Sequence, residues 1–214
     1  MSEEKIPPQF GVPHGSGVGL YEIRDRWRLG SSPSEVEECL EALIKMMDAP
    51  EGVPREARLP RRMVLCPDYQ RGLTWTPGQA ESFAGFWLQG GECPKIWVHR
   101  SQSVRTGGRE YWDTPCEVID GQQRLTALRS WVRGEINALL DDGRRVAFKD
   151  TDKRDRAWIP GVKICYVDLV RADRMRLYIR LNRGGTAHTD AEIEAARRLL
   201  AEEESKGRPP RRGS

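Results

Sequence analysis

The stretch that most constrains this chain runs from Cys116 to Leu128: Cys-Glu-Val-Ile-Asp-Gly-Gln-Gln-Arg-Leu-Thr-Ala-Leu. It reads as a short apolar strand ending on an acid, a turn at Gly121, and a helix whose first turn carries two amides and an arginine. Such a joint leaves backbone N–H groups unpaired and turns the positive end of a helix dipole outward, which suits an anion. Arg124 adds a donor fork that matches phosphate. Asp120 can hold a metal or orient a water. The same residues also read as an ordinary strand–turn–helix joint with an acidic cap.

The surrounding elements follow from spacing. Ser32-Pro33-Ser34-Glu35 is a capping box with proline at the first helical position, and Val36, Leu40, Leu43, Ile44 and Met47 continue it as one apolar stripe ending near Pro50. A short strand is expected at 62–66. Thr76-Pro77-Gly78-Gln79 opens a second helix, closed by Gly90-Gly91. Lys95–His99 alternates as a strand, 101–114 reads as a polar hairpin or loop, and 121–133 is the helix after the turn. Residues 141–157 read as a basic, Asp-rich connector, and Val162–Asp168 as an apolar strand. A helix from Ala172 to Leu181 breaks at Asn182-Arg183-Gly184-Gly185, and Thr189-Asp190-Ala191-Glu192 caps a last helix. Strands alternating with helices give an α/β or α+β class with a small mixed sheet flanked by helices. The expected division is a flexible segment over 1–30, one domain over 31–204, and a basic tail over 205–214.

Composition removes several function classes. The 214 residues carry 35 basic and 32 acidic side chains, so a net charge of +3 makes no global case for nucleic acid. Five cysteines (39, 66, 93, 116 and 165) are scattered without a C-x-x-C pair, which argues against a disulfide framework and a structural zinc site. Three histidines (14, 99 and 188) make a His-rich metal centre unexpected, and His99 and His188 read as a structural and a loop residue. No apolar run spans a membrane and no signal core opens the chain, so a soluble, cytoplasmic protein is expected. Gly15-Ser16-Gly17-Val18-Gly19 has a phosphate loop's glycine density but neither a preceding strand nor a following Gly-Lys-Ser/Thr, and reads as linker.

Three polar clusters sit where a regular element gives way to a turn: Asp68-Tyr69-Gln70-Arg71 with Trp75, Asp120 to Arg124, and Arg180 to Gly185. Their guanidinium groups, amides, carboxylates and glycine turns suit a polyanion with a metal or water held by a carboxylate. They suit acyl transfer badly, for there is no G-x-S-x-G elbow and no Cys–His motif. Each cluster also has a plainer reading: Tyr69 and Trp75 as packing residues, Asn182 and Gly184 as a helix C-cap, the basic stretch at 144–156 as a salt-bridged surface.

At these clusters the chain resembles a known family. Pro67, Tyr69, Gln70, Arg71 and Trp75, then Ile119 to Leu128, then Asn182 to Gly184, look like the GmrSD-type restriction endonuclease N-terminal domain of the ParB/sulfiredoxin-like superfamily. The resemblance covers roughly 33–200, and the Asp-Gly-Gln-Gln-Arg core is its most specific part. It implies a compact α/β domain that handles nucleotide or DNA phosphates in restriction and phage defence, with metal-assisted hydrolysis of a nucleoside triphosphate or phosphodiester. By carry-over, Asp120 positions a divalent metal (Mg2+ or Mn2+) or a water, while Gln122 and Gln123 orient it or the phosphate. Arg124 neutralises phosphate charge. Tyr69, Gln70, Arg71, Gly121, Asn182 and Arg183 line the phosphate. Members often continue into a histidine–asparagine–histidine nuclease domain; no such motif is read in these residues, and dependence on a separate nuclease, a stand-alone hydrolase or a binding function alone is expected. The expected partners are therefore a nucleoside triphosphate, DNA and a separate nuclease, with a non-catalytic binding switch as the alternative.

Overall fold

A computed structural model describes residues 33–49, 62–100, 103–112, 115–152, 162, 164–182 and 190–206. The Gly15–Gly19 run, the Ser32 cap, the side chains of Val36 and Leu40, Arg183 to Thr189 and the basic tail lie outside the described residues.

Four strands form the central sheet: β1 (Met63–Val64), β2 (Ile96–His99), β5 (Cys116–Asp120) and β8 (Ile164–Val167), in the order β1-β5-β2-β8. β5 runs parallel to β1 and antiparallel to β2, while β8 runs parallel to β2, so the sheet is mixed. The expected mixed sheet with flanking helices is what forms. Helices α1 (Pro33–Asp48), α2 (Pro77–Leu88) and α3 (Gln122–Val132) precede α4 (Arg171–Leu181) and α5 (Asp190–Lys206). β3 (Ser103–Thr106) and β4 (Arg109–Trp112) pair, which settles the stretch 101–114, read as a hairpin or a loop, as a hairpin over its described residues.

Side chains alternate across a strand, and here each face has its own core. Cys116 and Val118 of β5, with Ile96 and Val98 of β2, face one cluster that includes Trp87 of α2 and Leu125, Leu128 and Trp131 of α3. Ile119 of β5 and Val167 of β8 face a second, built from Tyr69, Met175, Tyr178 and Ile179 of α4, and Ile193 of α5. Cys116 and Val118 thus point to one side of β5 and Glu117 and Ile119 to the other; the register then shifts between Trp97 and Val98, so that Asp120 pairs with Trp97, which packs against the second cluster.

The segment expected as a surface connector begins as more than that. β6 (Ala138–Leu139) and β7 (Arg145–Val146) pair, and a 3₁₀ turn (Phe148–Asp150) follows. Two-residue strands carry too little periodicity to read from sequence. Tertiary contact decides them: Trp131 Nε1 donates to Val146 O at 3.0 Å, and Gly85 of α2 lies so close to Leu139 that an added Cβ would stand 1.8 Å from its carbonyl oxygen.

Candidate functional site

The site grows from the end of β5. Gly121 has φ +104°, a conformation L side chains rarely adopt, and a Cβ there would meet Ile96 Cγ1 at 2.8 Å. Glycine alone lets β5 turn this sharply into α3. No side chain caps the helix at Gly121, so its first amides lack intrahelical partners and their partial positive charge stays at the turn.

Asp120 and Arg124 meet across that turn. Arg124 donates from Nη2 to Asp120 Oδ2 at 2.5 Å and from Nη1 to Pro94 O at 2.8 Å. The Asp120 side chain remains 31 % exposed while that of Arg124 is 13 % exposed. Cys93 is buried beside the pair, and burial pushes its thiol up against the opposing pull of Arg124.

The three amides of the two motifs form a clamp. Gln70 Nε2 donates to Val118 O at 2.6 Å and to Ile119 O at 2.9 Å, fastening loop 67–76 to β5. Gln122 Nε2 donates to Arg71 O at 3.0 Å. Gln123 accepts from Trp75 N at 3.3 Å through Oε1 and donates to Gly72 O and Thr74 Oγ1 through Nε2. The first turn of α3 therefore holds the loop as well as facing the turn. Gln122 is buried and its Oε1 has no hydrogen-bond partner among the described residues; neither has Arg71 Nε.

The remaining predicted residues divide. Arg71 joins the clamp but turns toward α5, where Nη1 meets Glu192 Oε2 at 3.3 Å. Tyr69 is buried in the second core. Its ring packs edge-on to Tyr178 at 5.9 Å and its hydroxyl donates to Glu117 Oε2 at 3.3 Å. Burial, and next the Glu117 carboxylate, push that hydroxyl well above the ordinary tyrosine range. Asn182 is the C-cap of α4, its Nδ2 donating to Tyr178 O at 2.8 Å, and no hydrogen bond joins it to the motif turn among the described residues. Arg183 lies outside them.

Sequence reasoning missed Glu192 and the Glu117–Arg174 pair. Glu192 sits fourth in a capping box, a local signal that hid its long-range reach to Arg71. Glu117 gave a sharper clue, being an acid at a strand position whose neighbours two residues away are Ile119 and Pro115.

A protein-built metal cage does not fit this donor set. Among the described residues no three His, Cys, Asp or Glu side chains are grouped for one, and Arg124 engages one Asp120 oxygen. The set fits the other common arrangement, in which Mg2+ is held by one carboxylate and the phosphate oxygens of a substrate. Among the described residues, no helix is long and apolar enough to cross a membrane.

No curated protein and no solved structure matches the chain. The family model of the GmrSD restriction endonuclease N-terminal domain matches residues 57–198, which takes in loop 67–76, the Asp120–Arg124 turn and α4. The chain belongs to the GmrSD restriction endonuclease N-terminal domain family, and its setting is restriction.

Proposed function

We propose that this chain binds a nucleoside triphosphate at the Asp120–Arg124 turn and hydrolyses it, as the nucleotide-handling part of a restriction system that acts with a separate nuclease. One observation carries the reading: a partly exposed carboxylate and a guanidinium, 2.5 Å apart, stand at a helix N-terminus that no side chain caps. Phosphoryl transfer asks little of a protein beyond positioning and preorganised charge, and these groups are the kind it uses.

Arg124 and the first amides of α3 take the phosphate oxygens. Asp120 orients the attacking water and is the one carboxylate that would hold a substrate-borne Mg2+ or Mn2+, whose chemistry is to neutralise phosphate charge. Gln122 and Gln123 hold loop 67–76 to the first turn of α3. Arg71 supplies further positive charge once it leaves Glu192.

A second reading has its own support. Because the amides of Gln70, Gln122 and Gln123 are spent on holding loop 67–76, a ligand at the turn pulls directly on that loop. This favours a binding switch that signals nucleotide or DNA phosphate without turnover.

A thermal-shift and phosphate-release screen with the four ribonucleotides, with and without Mg2+, separates the readings. Wild type and Asp120→Asn are run in parallel. Stabilisation with Asp120-dependent phosphate release establishes the hydrolase. Stabilisation alone establishes the switch. If neither occurs, the nucleotide reading fails and duplex DNA is the ligand to try next.

A further inference from the structure

We infer that Trp75 is the platform on which the nucleobase stacks while the phosphates lie at the Asp120–Arg124 turn. The inference rests on the nucleotide reading above and adds to it the part of the ligand that turn does not address.

The chain has seven tryptophans, and their placements differ. Trp87 and Trp131 are fully buried, edge-on to each other at 6.3 Å, and their burial explains them. Trp75 is only half-buried and sits on a loop between Leu73, 51 % exposed, and the exposed Thr76. A large ring left partly in water on a polar loop gives up much of the stabilisation that burial would supply.

That ring is also unusually well fixed for a loop residue. Its own backbone N–H donates to Gln123 of the motif, and Gln123 binds the two residues before Leu73 and Trp75, Gly72 and Thr74. On its other side Thr76 begins α2 in a capping box, with Gln79 accepting from Thr76 N at 2.9 Å. The indole leans on Phe83 of α2, with centroids 5.4 Å apart and planes at 57°. One aromatic flank is thus braced by protein, and the loop that carries it is tied to the helix whose N-terminus would take the phosphates.

A preorganised ring loses little freedom when a base stacks on it. Base–aromatic stacking contributes about 1–3 kcal/mol per base and accepts any base, because every base has a π-face. Trp75 therefore serves to admit nucleotides over bare polyphosphate, without choosing among the four bases.

The test compares a nucleoside triphosphate with inorganic tripolyphosphate, both with Mg2+, binding to the full chain by calorimetry. Wild type should bind the nucleotide about fivefold or more tighter than tripolyphosphate, the low end of that stacking range. Trp75→Ala should bring the nucleotide down to the tripolyphosphate affinity and leave tripolyphosphate unchanged. Trp75→Phe, which keeps a ring against Phe83, should recover most of the loss and serves as the folded control. Nucleotide should also quench indole emission in wild type and not in Trp75→Phe. Equal losses for both ligands in Trp75→Ala, or no loss for either, overturn the stacking role while the nucleotide reading stands. Failure of wild type to bind either ligand overturns that reading itself, and the platform with it.

Discussion

Two carboxylate–guanidinium pairs stand three residues apart on β5 and differ in how far water reaches them. Glu117 meets Arg174 of α4 at 3.4 Å, with side chains 16 % and 12 % exposed, and also accepts from the Tyr69 hydroxyl. Asp120 meets Arg124 at 2.5 Å within a single turn of chain, and its carboxylate stays about twice as accessible. The first pair joins three separate elements beneath a helix. The second touches solvent at a helix start with no cap. The same chemistry is therefore structural in the middle of β5 and available at its end, and what separates the two is access and the neighbouring dipole rather than the identity of the ions.

The largest effect tests the structural side. Glu117→Ala leaves the Arg174 guanidinium and the Tyr69 hydroxyl without their partner between sheet and helix. Removing one member of a buried pair costs about 3–5 kcal/mol; the residual exposure of this pair places the expected loss near the low end. Urea denaturation at pH 7 measures it. A loss below about 1 kcal/mol would put Glu117 on the same footing as a surface ion and remove the distinction.

Next comes the turn that brings the second pair together. Gly121→Ala forces a Cβ into a left-handed backbone and against Ile96. Positive φ costs an L-residue about 1–2 kcal/mol and overpacking adds about 1–3, so about 3 kcal/mol is expected. Nucleotide-induced stabilisation should vanish with it, because α3 no longer starts at the same place. Full retention of both stability and ligand response would show that the sharp turn is not what builds the site.

Asp120→Asn is expected to do the reverse of Glu117→Ala. A partly exposed pair within one turn contributes about 1 kcal/mol or less, so the urea midpoint should barely move while phosphate release is lost. If Asp120→Asn unfolds the protein as Glu117→Ala does, both pairs are structural and the catalytic assignment falls.

Much of this arrangement was legible in the sequence. The Thr76 capping box forms as its spacing required, and the apolar run Val118-Ile119 ahead of Asp120-Gly121 identified the strand, the turn and the helix start. Local signals of that kind survive folding because they are satisfied within a few residues. The clamp was not legible, since Gln70 and Gln122 each reach about fifty residues along the chain to backbone carbonyls, and a carbonyl leaves no mark in a sequence. Glu192 was hidden for a related reason: its position fitted a local cap, and only the packing of α5 brings it to Arg71. The site residues could be listed from sequence, but not their division of labour between holding the loop and meeting a ligand.

The smallest expected effect again belongs to the surroundings of the Glu117–Arg174 pair. His99, 6 % exposed, ends β2 and its Nδ1 accepts from Leu169 N at 3.4 Å. Burial and then the nearby Arg174 hold its pKa below the ordinary histidine value, against the opposing pull of Glu117 and Asp168. The folded protein thus binds this proton at a lower pH than the unfolded chain, which binds it near pH 6.5. Unfolding gains protons in that window, so stability is complete above about pH 6.5 and falls as pH drops through it. His99→Gln retains an acceptor for Leu169 and has no proton to take up. The stability gap between wild type and this variant should therefore narrow steadily from pH 7.5 to pH 5 in urea titrations. A gap that stays constant would mean that His99 is as accessible to protons when folded as when unfolded, and the face carrying Glu117 and Arg174 would then be wetter than its packing implies.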